Sequence, residues 1–114
     1  MHEYSLAQSI VDIALGVARE HGGQSIERIS VDIGSMRAVC PELLVEAFAY
    51  TAEETLAKGA KLDWTETPME FVCGQCEARY TAEELLEPCP HCGGHAGRLV
   101  SGDELIVRSV TLTD

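Results

Sequence analysis

Cys73-Gly74-Gln75-Cys76, followed after twelve residues by Cys89-Pro90-His91-Cys92, is the stretch on which the fold turns. Two C-x-x-C pairs at this spacing let two tight turns present four thiolates tetrahedrally, the arrangement of a structural zinc site. Four sulfur ligands leave the ion no open position, so it cannot activate water. Beyond Phe71, Val72, Tyr80, Leu85 and Leu86, the segment from Pro68 to Arg98 has little from which to build a core. Zinc binding, worth on the order of 10 kcal/mol or more in peptides, would supply the missing stability. Disulfides or free thiols are one alternative. Iron is another, because Cys89-Pro90-His91-Cys92-Gly93 resembles half of a rubredoxin, although the gap is shorter and Glu77 stands where glycine is expected.

Thr81-Ala82-Glu83-Glu84 between the pairs has the form of a capping box and predicts a short helical turn,. Upstream, Leu6, Ile10, Ile13, Ala14 and Val17 recur at helical spacing between Ser5 and Glu20, and His21-Gly22-Gly23 stops that helix,. Ile29, Val31 and Ile33 alternate with polar residues in a strand ending at Gly34,. Pro41 suits a second helix's first turn, with Leu44, Ala47, Phe48 and Thr51 on one face until Lys58-Gly59,. Leu62 and Trp64 mark another strand, Met69 to Val72 lead extended into the first pair, and Leu105 to Leu112 reads as a last strand returning to the sheet,.

The expected fold class is therefore α+β, a small sheet packed with two helices plus an inserted four-cysteine zinc ribbon or knuckle. The expected domains are 1–68 with 99–114, and the metal-binding insert 69–98.

The 114 residues suffice for one such body,. No apolar run approaches the roughly 18 residues of a membrane span, and no secretory signal opens the chain, so it is expected to be cytoplasmic. Eight Lys and Arg against 19 Asp and Glu give a net charge of −11, which opposes binding to phosphate backbones,. The insert is acidic as well, with glutamates 70, 77, 83, 84 and 87 against Arg79 and Arg98. Nucleic acid is excluded as an expected partner. No paired nucleophile and base, phosphate loop or open zinc motif is present, so an enzyme is not expected. Cys40, just before Pro41, reads as a buried bystander or a reactive thiol at a helix start,.

Met1-His2-Glu3 sets an amine, an amide and an imidazole in succession. The Met1 amine and His2 amide close a five-membered chelate ring, and His2 Nδ1 with its own amide closes a six-membered one. Such nitrogen donors favour Ni(II) or Cu(II) over zinc. The alternatives are an ordinary terminal His2 and a Glu3 that complements the helix dipole.

The opening Met1-His2-Glu3-Tyr4-Ser5-Leu6-Ala7, together with the two cysteine pairs, resembles the HypA family of nickel-insertion chaperones for NiFe-hydrogenase maturation over the whole chain. The resemblance implies a nickel-binding α/β domain joined to a zinc-binding domain, with Ni(II) passed to the hydrogenase large subunit together with the GTPase HypB. Residue by residue it implies nickel ligation around Met1, His2 and Glu3, and zinc ligation by Cys73, Cys76, Cys89 and Cys92. It also places His95 where some relatives have a further nickel ligand, an exposed loop residue being the alternative. Supply of urease is a second outlet that the resemblance allows, and the chain would be a monomer or a homodimer. The rival reading is a zinc-ribbon adaptor for a basic protein, in which replacing His2 would leave partner binding intact.

Overall fold

A computed structural model describes residues 3–113, in the order α1 (Glu3–Glu20), β1 (Ile26–Gly34), a 3₁₀ turn (Ser35–Arg37), α2 (Pro41–Ala52), β2 (Lys61–Thr67), β3 (Met69–Cys73), β4 (Arg79–Ala82), β5 (Gly97–Ser101) and β6 (Leu105–Leu112). The chain divides into two compact units. The first holds the segment ending at Asp32, Val39–Thr65 and the segment from Ile106, and the second holds Ile33–Ala38 and Glu66–Leu105. No described helix is long and apolar enough to cross a membrane.

In the first unit, two helices accompany a three-stranded sheet of order β2-β1-β6. The buried stripe of α1 is Leu6, Ala7, Ile10, Val11, Ala14 and Ala18. Ile13 is 44% exposed, contrary to the sequence reading, because the stripe turns toward small alanines that admit close packing. The helix ends in a Schellman motif, with Gly23 N–H donating to Ala18 O at 2.7 Å and Gly22, at φ 101°, in the left-handed region that glycine tolerates,.

Cys40 caps α2 without a side-chain bond, and Pro41 follows where its missing N–H costs nothing,. Leu44, Phe48 and Ala52 are buried. The helix stops at Ala52, six residues before the Lys58-Gly59 stop expected from sequence. Thr55 competes for the backbone there: its hydroxyl donates to Ala52 O at 2.8 Å and accepts from Ala57 N at 3.0 Å,. In β1, Ile29, Val31 and Ile33 are buried on one side. The intervening positions carry polar ties, Arg28 to Asp63 of β2 and Asp32 to Arg108 of β6.

The second unit contains an antiparallel sheet of order β4-β3-β5. Its small core is Met69, Phe71, Cys73, Tyr80 and Cys89, with Ala82 and Leu99 against it. Alternation along β3 sends Met69, Phe71 and Cys73 inward,. Phe71 stacks on Tyr80 across the β3–β4 pair, ring centroids 5.4 Å apart.

Two sequence readings fail in this unit. Gly97 begins a strand, where glycine-rich sequence suggested only a loose connection, because a Cβ at 97 would collide with the Tyr80 hydroxyl. The capping-box turn is also absent: Thr81 is in β4, paired with Glu70. The residues after it form a turn closed by Glu87, whose Oε2 accepts from Glu83 N at 2.8 Å and Glu84 N at 2.9 Å.

The segment after β1 lies against the β5–β6 turn within this unit. Gly34 N–H donates to Glu104 O at 2.8 Å, and Met36 N–H to Gly102 O at 2.9 Å.

Candidate metal centre

The two cysteine pairs form knuckles of one design. Cys73 ends β3, and its N–H donates to Ala78 O at 3.0 Å while Glu77 N–H returns to Cys73 O at 3.0 Å. Cys89 repeats the pattern, its N–H donating to Gly94 O at 2.8 Å and Gly93 N–H returning to Cys89 O at 2.8 Å. In each turn the amide two residues on reaches the leading sulfur, Gln75 N to Cys73 Sγ and His91 N to Cys89 Sγ, both at 3.4 Å. The fifth position of each turn is left-handed, Glu77 at φ 62° and Gly93 at φ 75°. Glu77 therefore adopts the backbone that its glycine counterpart adopts, and the departure from the glycine pattern does not alter the turn.

The four sulfurs lie within 4.8 Å of one another. Cys73 Sγ is 3.6 Å from Cys92 Sγ, and Cys76 Sγ is 3.7 Å from Cys89 Sγ. A tetrahedral ion with metal–sulfur bonds of about 2.3 Å sets its sulfurs roughly 3.8 Å apart, so the donors fit such an ion. A disulfide requires about 2.0 Å, and all five cysteines are free thiols here,. Cys73 and Cys89 are buried, whereas Cys76 and Cys92 face solvent.

The thiols of the cluster differ in their electrostatics. Amides of Cys76 and Gln75 bring the Cys73 thiol down to about 6, against the opposition of burial. Cys76 is pushed up to about 12: the Ala78 amide favours its thiolate, but burial and the neighbouring sulfurs outweigh it. At Cys92 the Gly94 amide is likewise outweighed by Cys73 and by burial, and that thiol is raised. A divalent ion bound among the four sulfurs would favour their thiolate forms.

Of the other residues singled out from sequence, Met1 and His2 lie outside the described residues. Glu3 begins α1 and is 6% exposed, with Oε2 accepting from the Cys40 amide at 2.9 Å. Nothing in the sequence foretold this tie across 37 positions, which anchors the start of α1 to the start of α2. The Cys40 thiol is half-buried and directed to Glu42 Oε2 at 3.4 Å. His95 is exposed, between the second knuckle and β5, and belongs to the second unit. His91 is exposed and contributes its amide to the cluster.

An α+β protein with two knuckles converging on one four-cysteine centre is, in class, a small metal-binding protein. Residues 1–112 match the family described as "Hydrogenase/urease nickel incorporation, metallochaperone, hypA", and the chain belongs to this family. The hydrogenase maturation factor HypA of Chlorobium limicola is 39% identical over 114 residues, covering 100% of this chain and 98% of that protein. HypA 2 of Bradyrhizobium diazoefficiens is 34% identical over 110 residues, covering 96% and 97%. The solution structure of the Ni metallochaperone HypA from Helicobacter pylori superposes with a TM-score of 0.70 at 28% identity, covering 98% of this chain and 97% of that one. A second HypA solution structure gives 0.71 at 30% identity, covering 99% and 97%.

Proposed function

We propose that this chain binds Ni(II) at its amino terminus and delivers it to the NiFe-hydrogenase large subunit in the cytoplasm, while Cys73, Cys76, Cys89 and Cys92 hold a structural Zn(II). The observation that carries the division of labour is the closed four-thiol cluster. With four donors engaged, the resident ion has no vacant position from which to be handed on. Its ligands are also built into the ends of β3 and the second knuckle, so release would dismantle the sheet. A transferable ion needs another site.

The Met1 amine, the His2 amide and His2 Nδ1 supply the nitrogen donors that select nickel, with Glu3 next to them in the sequence. The Glu3–Cys40 tie fixes the first residue of α1 and thereby supports this reading. Ligands at a chain terminus can be protonated and exchanged without unfolding a core. The hydrogenase large subunit and the GTPase HypB are the partners this reading requires. The protein's own residues bind and hand over an ion, and no substrate bond is made or broken.

Calorimetric Ni(II) titration of the native chain, His2→Ala and a chain extended by one residue before Met1 tests the proposal, with bound zinc measured separately. Both variants lose tight nickel binding and keep one zinc. Undiminished nickel affinity in both would overturn it.

A further inference from the structure

Leu85 is 52% exposed and Leu86 88% exposed, on a turn of the second unit where they are flanked by Glu83, Glu84 and Glu87. The turn is built to hold them out. Its free amides at Glu83 and Glu84 are both satisfied by the Glu87 carboxylate, and Glu87 N–H closes onto Glu84 O at 3.5 Å. The polar groups are thus consumed internally while both leucine side chains meet water, an arrangement that burial in the unit's own core does not explain.

Beside the turn lie two adjoining depressions of about 430 and 420 Å³, which share Pro68, Ala82 and Glu83. Glu87 lines one and Glu66 the other. Among the described residues no lysine or arginine pairs with Glu66, Glu83, Glu84 or Glu87, while Arg79 is engaged by Glu70 and Arg37 by the Asp103 carbonyl.

We propose that the Leu85-Leu86 turn and the acidic cleft beside it form a docking surface for a protein partner that offers an apolar hollow rimmed by lysine or arginine. Leu86 enters the hollow, and Glu66, Glu83 and Glu84 receive the cationic rim. A second copy of this chain is a poor occupant, since its own net charge of −11 would set carboxylates against carboxylates,. The proposal rests on the nickel-delivery reading, which calls for such a partner, but it concerns a surface away from the amino terminus in sequence.

The test is biolayer interferometry of the zinc-loaded full chain against purified hydrogenase large-subunit precursor and purified HypB, at two salt concentrations. The variants are Leu86→Ser and Glu83→Gln/Glu84→Gln, which leave the Glu87 hydrogen bonds in place. Leu86→Ser weakens binding to at least one of the two proteins by about tenfold or more, the loss expected of a central anchor. The double glutamine variant flattens the salt dependence of the same interaction. Nickel and zinc stoichiometry, measured on the same samples, stay at the native values, so a failure of nickel binding would register separately. Native affinity and native salt dependence in both variants would overturn the proposal, as would self-association of the native chain that Leu86→Ser abolishes.

Discussion

Replacing Gly34 by alanine sets two physical rules against each other. Its backbone, at φ −64° and ψ 139°, is comfortable for any residue, and on that ground alone alanine stabilises by about 0.4–1 kcal/mol through the unfolded chain,. The packing says otherwise. A Cβ at 34 would overlap the carbonyl carbon and oxygen of Gly102 and come within 2.5 Å of Asp103 N. These are backbone atoms and cannot swing aside. Overpacking typically costs about 1–3 kcal/mol. Separating the strands also stretches the bonds from Gly34 N to Glu104 O and from Met36 N to Gly102 O, each worth roughly 1 kcal/mol net,. The expected outcome is a loss of about 3 kcal/mol, opposite in sign to the backbone rule alone. Urea unfolding, followed by release of the bound metal to a chromogenic chelator, reports the second unit in which these contacts lie. Unchanged or raised resistance to urea in Gly34→Ala would refute the reasoning.

Stripping the metal from the native chain with a strong chelator removes amide-exchange protection from β3, β4 and β5 while α1 and the centre of β1 keep theirs. Heteronuclear NMR before and after chelation reads this directly, and protection retained across 69–101 would contradict it. Glu104 gives a pH prediction. Its carboxyl is held below the usual range by its own amide, by the Gly102 amide at 2.7 Å and by the Thr67 hydroxyl, with Arg37 adding charge and burial opposing. A lowered folded-state pKa stabilises above the unfolded pKa of about 4.3, and the benefit is lost as pH falls through the folded value. The urea-midpoint advantage of the native chain over Glu104→Gln is therefore full at pH 7 and shrinks toward pH 3, a comparison in which acid release of metal affects both proteins alike. An advantage that grows on acidification would count against the assignment.

The cysteine pairs, both helices and the strands around Val31, Trp64 and Val110 were legible because each carries its own periodicity or ligand spacing. What escaped was decided by partners distant in sequence. Gly97 reads as a loosening residue until the Tyr80 hydroxyl is seen to need its missing side chain. Thr81 reads as a cap until pairing with Glu70 claims it for β4, after which Glu87 caps the turn from the other end. Thr55 ends α2 through bonds that propensity alone does not weigh against Lys58-Gly59. The Glu3–Cys40 tie had no local signal at all, since Glu3 read as a dipole-favouring residue or a nickel-site residue and Cys40 as a bystander or reactive thiol.

That tie bears on how, under the proposed function, one chain would serve two ions with opposite requirements. A structural ion must be slow to leave, and the knuckles meet this with sulfurs buried at Cys73 and Cys89, amide bonds to both, and ligands continuous with β3. Detaching either buried ligand, Cys73 or Cys89, exposes core. A transferred ion must be selected yet surrendered, which asks for donors whose loss disturbs nothing folded. Glu3 stands at the boundary between these regimes: its Oε2 accepts from the Cys40 amide, its residue opens α1, and the Met1 and His2 donors proposed for nickel precede it. Severing the tie by Glu3→Ala would free the helix start while leaving His2 chemically intact. The expected signature is weaker nickel binding at unchanged zinc content, in contrast to Cys89→Ser, which releases zinc and unfolds the second unit.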